Sequence, residues 1–329
     1  MSPPDLRMAR LGCLIGILVL LAGCGNDQSL EPAGGRIVPQ FVREWGCAGA
    51  EPGCFDFPIG VAADPQGNLY VADHFNHRVQ RFSASGEYLG SWIVPGELFG
   101  PAGITSDGRG LFFVTDTWTA KIRVFDASGV VVRSWGAPGS GQGEFDQPMG
   151  IAVAQNGTVY VADRNNYRIQ KFTREGEFLR EWPAGRAQSG ARYWGPHGLA
   201  VAPDETVLMV EWHGYQVYRY SPAGRHLETW AANGVLGGDV TNTYGLAVDG
   251  LGRVLVTDET TKRVLRFTLH GRFIDQWGGG GNAPGQFIVP WGIAVTPQGG
   301  IYVADSERNV VVAFDDGYWP LSLRNLTGR

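Results

Sequence analysis

No basic excess runs through this chain. Lysine and arginine number 27 against 32 aspartates and glutamates, a formal net charge of −5, and no basic stripe breaks the pattern. RNA or DNA is therefore not expected as a partner, because phosphate recognition needs clustered positive charge. Charge of either sign is sparse, at 18% of residues, while 43% are hydrophobic, so the chain can bury a large core. The apolar run from Leu11 to Ala22 is too short to span a bilayer comfortably. No Gly-x-Ser-x-Gly phrase marks a nucleophile on a strand-to-helix turn. The glycine-rich stretches Gly139 to Gly143 and Gly278 to Gly281 open no helix, which a phosphate loop requires.

The apolar run has the length of a signal-peptide core, and Arg7 and Arg10 precede it. It ends in Leu21-Ala22-Gly23-Cys24, which resembles the lipobox of bacterial lipoproteins, where cleavage falls before a cysteine that carries a diacylglycerol. That resemblance implies a signal peptide over residues 1–23, lipidation of Cys24 and a tether over 24–36. Several acyl chains would anchor the protein to a membrane stably. The polar residues 25–36 would then reach roughly 20 Å as a flexible coil. An ordinary secretory signal is the alternative. Gly25 offers no acidic retention signal, so the expected place is the cell envelope, on the outer membrane facing the periplasm.

With Cys13 in the signal and Cys24 lipidated, Cys47 and Cys54 remain. In an exported chain such a pair is expected to form a disulfide. Closing so small a loop would contribute about 2.5 kcal/mol on the chain-entropy account. The spacing is not the Cys-x-x-Cys that tunes a reactive thiolate.

Glycine is abundant (49 residues), as is tryptophan (11), which points to many turns between strands. From Pro58 the chain reads PIGVAADPQGNLYVADHFNHRVQRFSASGEYLGSW, and from Pro148 it reads PMGIAVAQNGTVYVADRNNYRIQKFTREGEFLREW. The phrase begins again at Pro101, Pro196, Thr243 and Pro290. Its glycine recurs at Gly60, Gly103, Gly150, Gly198, Gly245 and Gly292, at intervals of 43, 47, 48, 47 and 47 residues. Runs such as GIAV, VYVAD, RIQKF and FLREW read as strands, with Asn-Gly and Glu-Gly turns between them. Four strands in each of six repeats predict an all-β, six-bladed β-propeller over residues 37–317, with a tail over 318–329. The sixth repeat has no good FLxxW run, whereas Phe41 to Trp45 nearly copies Phe178 to Trp182. This N-terminal strand is expected to complete blade six and close the ring, with the cysteine pair pinning the seam. The alternative, Tyr318 to Leu323, contains Pro320, which would interrupt a ladder.

The repeats resemble the NHL family, whose blades read P-x-G-[IL]-A-V-D, Y-V-A-D, N-x-R-[VI]-Q-x-F and G-x-F-x-x-x-W-G. The resemblance extends from residue 41 to about 316 and implies the fold rather than a function, because propellers host many activities. It places the residue between proline and glycine at the channel mouth: Ile59, Ala102, Met149, His197, Tyr244 and Trp291. The two residues after each YVAD aspartate share that face, among them His74, Phe75, Trp118, Arg164, Trp212, His213, Glu259 and Glu307.

One enzymatic relative, the peptidyl-hydroxyglycine amidating lyase, holds zinc with three histidines on alternating blades at the proline-x-glycine position. Matching His197 to one of them puts Ala102 and Trp291 at the other two, and neither binds zinc. That enzyme's catalytic tyrosine would fall at Asn165 and its arginine at Trp212. No metal and no cofactor is therefore expected. The candidate ligand-binding set is His74, Phe75, Trp118, Met149, Arg164, His197, Trp212, His213, Tyr244, Glu259, Trp291 and Glu307. The aromatics supply the apolar area of a binding site, while the non-repeating Arg164, Glu259 and Glu307 would orient a polar ligand. The repeated pairs Asp73/Arg78, Asp116/Lys121, Asp163/Arg168 and Asp258/Arg263 are expected to fasten strands within blades. The resulting expectation is a membrane-tethered module binding a small molecule, glycan, peptide or protein at an aromatic mouth. The alternatives are a metal-dependent propeller lyase, lactonase or hydrolase with its site on the axis, and an architectural role in an envelope complex.

Overall fold

A computed structural model describes residues 38–94, 96, 98–185, 195–212, 214, 216–231 and 242–317. The expected signal peptide, Cys24, the tether, His213 and the segment 318–329 lie outside the described residues. Among those described there is no helix, and the strands form six antiparallel sheets of four. The first blade runs outward through Pro58–Ala63, Leu69–Asp73, Arg78–Phe82 and Tyr88–Ile93. Five blades are continuous in sequence. In the sixth, the strand Gln40–Trp45 pairs with Val310–Asp315, so the N-terminal strand closes the ring as expected.

Burial explains the sequence pattern. The second strand of every blade is packed on both faces: Leu69–Asp73, Val159–Asp163, Val207–Glu211 and Val254–Asp258 are buried at all positions. That accounts for their apolar and β-branched character. The cores lie between blades. One joins Ala152, Tyr160, Ile169 and Trp182 to Leu199, Val207, Met209 and Tyr220, and each such side chain contributes about 1.5–3 kcal/mol when fully buried.

The innermost strands come much closer together. A Cβ on Gly60 would lie 2.2 Å from the Ala102 carbonyl oxygen, and on Gly103 2.3 Å from that of Met149. The contact recurs from Gly150 to His197 at 2.2 Å, Gly198 to Tyr244 at 2.5 Å, Gly245 to Trp291 at 2.0 Å and Gly292 to Ile59 at 2.1 Å. Only glycine leaves room for that approach. Each innermost strand also slips register at this triplet, as between Pro58 and Val61 or Pro290 and Ile293. Such an irregularity bends the strand and re-aims a side chain.

The Asp–Arg pairs do more than fasten strands. Arg78 meets Asp73 at 2.8 Å, and its other nitrogens donate to the carbonyls of Ala50, Glu51 and Cys54 in the incoming interblade loop. Arg168 meets Asp163 at 2.8 Å and grips Ser140, Gly141 and Glu144 in the same way. Two of the four expected pairs need correction. Asp116 pairs with Arg123 at 3.1 Å rather than with Lys121, since a residue two places on shares the strand face. Asp258 is held by the Thr260 and Thr261 amides and the Thr261 hydroxyl, a local turn that occupies the carboxylate before Arg263 can.

Cys47 and Cys54 are bonded across the loop leading into blade one. In the corresponding loops the crosslink is a hydrogen bond, Glu144 accepting from the Gly141 amide at 2.8 Å and Gln286 from Ala283 at 3.1 Å. The glycine run 139–143 is thus internally occupied, with the Gly143 amide donating to Gln170. The seam is also filled by Trp45, whose ring lies 5.9 Å from Phe82 and 6.1 Å from Tyr302.

Gly245→Ala should destabilise the fold by about 3 kcal/mol in urea unfolding, because the methyl meets backbone that cannot move aside. Gly280→Ala is the control, its Cβ meeting only the Lys262 side chain at 3.5 Å. Equal midpoints for the two variants would contradict the close-approach account.

Candidate functional site

The six bulged triplets set their middle residues around the axis. Ile59, Ala102 and Met149 form a buried apolar half, with Phe57 and Trp291 packed against them. His197, Tyr244 and Trp291 form the aromatic half: Trp291 lies 4.5 Å from Tyr244 and 5.6 Å from His197, and His197 lies 5.3 Å from Tyr244. His197 is 5% exposed. Its Nδ1 sits 3.2 Å from the Tyr244 carbonyl, to which it donates.

The residues following the YVAD aspartates divide into two groups. His74 Nδ1 donates to the Pro101 carbonyl at 3.1 Å, the Thr117 hydroxyl to Pro148 at 3.1 Å, and the Ser306 hydroxyl to Pro58 at 2.6 Å. These three latch their blade to the opening proline of the next. Arg164, Trp212 and Glu259 instead form a chain with Tyr244. The Arg164 guanidinium lies 3.1 Å over the Trp212 ring, and the Trp212 indole N–H donates to the Tyr244 hydroxyl at 3.3 Å. That hydroxyl donates to Glu259 at 3.0 Å, and Asn242 donates to the same carboxylate at 2.6 Å. Burial pushes the Tyr244 hydroxyl well above the usual phenol range and draws Arg164 down to about 10.

Opposite this chain stand Phe75 and Trp118, 45% and 54% exposed. His74 joins them, at 4.9 Å from Phe75 and 5.4 Å from Trp118. Phe57 connects the two sides, 5.4 Å from Phe75 and 5.2 Å from Trp291. The result is a continuous arc of rings from Trp118 across the axis to Trp212. Nine of the predicted residues belong to it or to its polar end: His74, Phe75, Trp118, Arg164, His197, Trp212, Tyr244, Glu259 and Trp291. Met149 lines the axis beneath. Glu307 is exposed, and among the described residues its hydrogen bond is one that its backbone carbonyl accepts from Asn309. Phe57 and His77, 5.2 Å from Trp118, were not expected in the arc. Both lie in the left-handed region (φ 58° and 54°), just ahead of a repeat strand.

The void along the axis measures about 80 Å³. Ligand pockets are several times larger, roughly 300–1,000 Å³, so a ligand would sit on the mouth and not in the channel. Beside Trp118 an open groove of about 650 Å³ runs between blades two and three, bordered by Ser140, Asp146 and Asn166. The residues do not fit a zinc centre of the amidating-lyase kind. Ala102 and Trp291 offer no ligand atom, Asn165 is engaged with Asp146 at 3.0 Å, and His197 has one nitrogen on main chain. No group of three or more His, Cys, Asp or Glu placed to hold a metal occurs among the described residues.

This geometry is that of a six-bladed β-propeller with a capped channel. The chain carries NHL repeats, the family model matching residues 55–82, 145–172 and 287–314. These are blades one, three and six, the blades entered by the crosslinked loops. No curated protein matches the chain in sequence. Among solved structures it is similar to a catalytically inactive variant of virginiamycin B lyase from Staphylococcus aureus with quinupristin. Identity is 17%, over 78% of this chain and 80% of that one, with a TM-score of 0.57. A Bacteroides thetaiotaomicron protein of unknown function matches at 16% identity, over 79% and 70%, with a TM-score of 0.63. The nidogen/laminin complex matches at 21% identity, over 72% and 84%, with a TM-score of 0.56. Identities this low show a shared fold and nothing finer.

Burial holds the His74 pKa below the ordinary histidine value. The folded chain therefore takes up this proton at a lower pH than the unfolded chain, and its contribution makes stability fall as the pH falls. His74→Asn keeps an N–H for Pro101 but cannot titrate. Unfolding followed from about pH 7 to about pH 5 should show a smaller loss for the variant than for the parent. Equal losses would assign the acid sensitivity to other groups.

Proposed function

We propose that the protein is an exported, membrane-tethered binding module. Its ligand lies across the ring arc at the channel mouth, held by a flat or apolar face. The observation that supports this most is the exposure of Phe75 and Trp118 at one end of an otherwise packed aromatic array. The two rings lie 6.2 Å apart, and a contiguous apolar patch at a concave place marks an interaction site, while stacked rings bring large contact area with little loss of side-chain freedom. The groove beside Trp118 gives a ligand room to extend, with polar groups at its border to orient it.

Export and attachment through lipid on Cys24 are parts of the same reading. They rest on the lipobox-like Leu21-Ala22-Gly23-Cys24, and the Cys47–Cys54 bond is compatible with an oxidising compartment. A metal-dependent propeller enzyme is the less favoured alternative, because it would need converging ligands where Ala102 and Trp291 stand.

Neutral 2-naphthamide, followed by ligand-observed NMR, is a suitable first probe of the arc. The double variant Phe75→Ala/Trp118→Ala should bind it at least about tenfold more weakly, the loss of two stacking contacts, with unfolding nearly unchanged because both rings are exposed. Undiminished binding by the double variant would remove the arc as the binding surface.

A further inference from the structure

Among the described residues six arginines are buried, Arg78, Arg123, Arg168, Arg219, Arg253 and Arg266, and each meets a carboxylate within ion-pair distance. Arg164 does not. It is half-buried, its guanidinium is stacked on Trp212, and among the described residues it donates no hydrogen bond and forms no ion pair. Asp146 and the hydroxyls of Tyr244 and Tyr167 act on it only from a distance. Glu259, the carboxylate of the adjoining network, is engaged by Tyr244 and Asn242.

A partly desolvated guanidinium without an anion is costly to hold. The guanidinium is held against the Trp212 ring, its carbon 3.1 Å from the ring centroid, and a guanidinium carries paired N–H donors along its edge. That is the geometry that recognises a planar carboxylate in two-pronged fashion. From the same point the half-buried Trp212 and Trp291 carry the ring arc toward the axis past the buried Tyr244 and His197, and Phe57 continues it to Phe75 and Trp118.

We infer that the mouth takes an organic carboxylate, its acid group on Arg164 and its flat apolar body on the adjoining rings. This rests on the arc being the binding surface and adds the chemical class of the ligand. The carboxylate would occupy the edge of Arg164 that the described residues leave unpaired, and the polar end of the arc would set the ligand's direction across the mouth.

The test compares 2-naphthoate with 2-naphthamide, which share a ring system and differ in charge. Titration calorimetry on the parent protein should show naphthoate binding at least about tenfold tighter, the effect of one charge-assisted pair. Arg164→Gln should abolish that preference, so that the two probes bind equally to a variant whose cooperative urea unfolding shows it to be folded. Arg164→Lys should keep only a minor part of it, because an ammonium cannot make the two-pronged contact. Equal binding of the two probes by the parent would overturn the carboxylate inference and leave the aromatic mouth standing. A preference that survives in Arg164→Gln, or is undiminished in Arg164→Lys, would overturn it as well. Binding of neither probe would overturn the inference together with the arc on which it rests.

Discussion

The approach of each opening glycine to the next blade's carbonyl oxygen is the constraint on which the rest of this structure depends. Six contacts of 2.0–2.5 Å, measured from where a Cβ would be, pass around the axis and return from Gly292 to Ile59. They hold the inner strands so near one another that the channel is little more than a crevice. They also fix the carbonyl of each mouth residue, and the accompanying bulge turns its side chain out of the sheet. A scaffold with sixfold character thereby presents six unlike side chains at one place.

What repeats and what does not then separate cleanly. The repeating parts, namely the buried second strands and the closing-strand tryptophans, build the ring, with Asp–Arg grips on the incoming loops of blades one and three. At the mouth the same backbone positions hold latches in three blades, through His74, Thr117 and Ser306. The remaining three hold Arg164, Trp212 and Glu259, which bond to or stack on one another around Tyr244. The asymmetry of the mouth is therefore concentrated on blades three to five, with the exposed rings of Phe75 and Trp118 on blades one and two. A flat ligand lying across the axis would meet both.

Much of this was legible in the sequence. The blade count and the closing strand follow from local patterns: a six-times repeated glycine triplet and a displaced copy of FLREW. Most of the mouth set followed too, because its members occupy fixed offsets within each repeat. Residues outside those offsets escaped. Phe57 precedes the triplet, and its inward turn depends on a left-handed backbone that no repeat signature announces. The pairing of Asp116 with Arg123, and of Asp258 with its own turn, reflects competition between neighbours that spacing cannot rank. Glu307 sits at the right offset but is exposed, and among the described residues its side chain bonds to no ring or polar group of the arc. The stack of Arg164 on Trp212 joins two blades, so it depends on the angle between sheets and not on any run of residues.

The central claim is that the mouth is proposed as a binding surface of rings beside the Arg164 guanidinium, not a metal centre. The metal content of the chain purified from residue 25 onward, measured by mass spectrometry beside His197→Ala, tests it most directly. The account predicts substoichiometric metal, the same in both proteins. One zinc or iron per chain that is lost in the variant would contradict it and move the enzyme reading ahead.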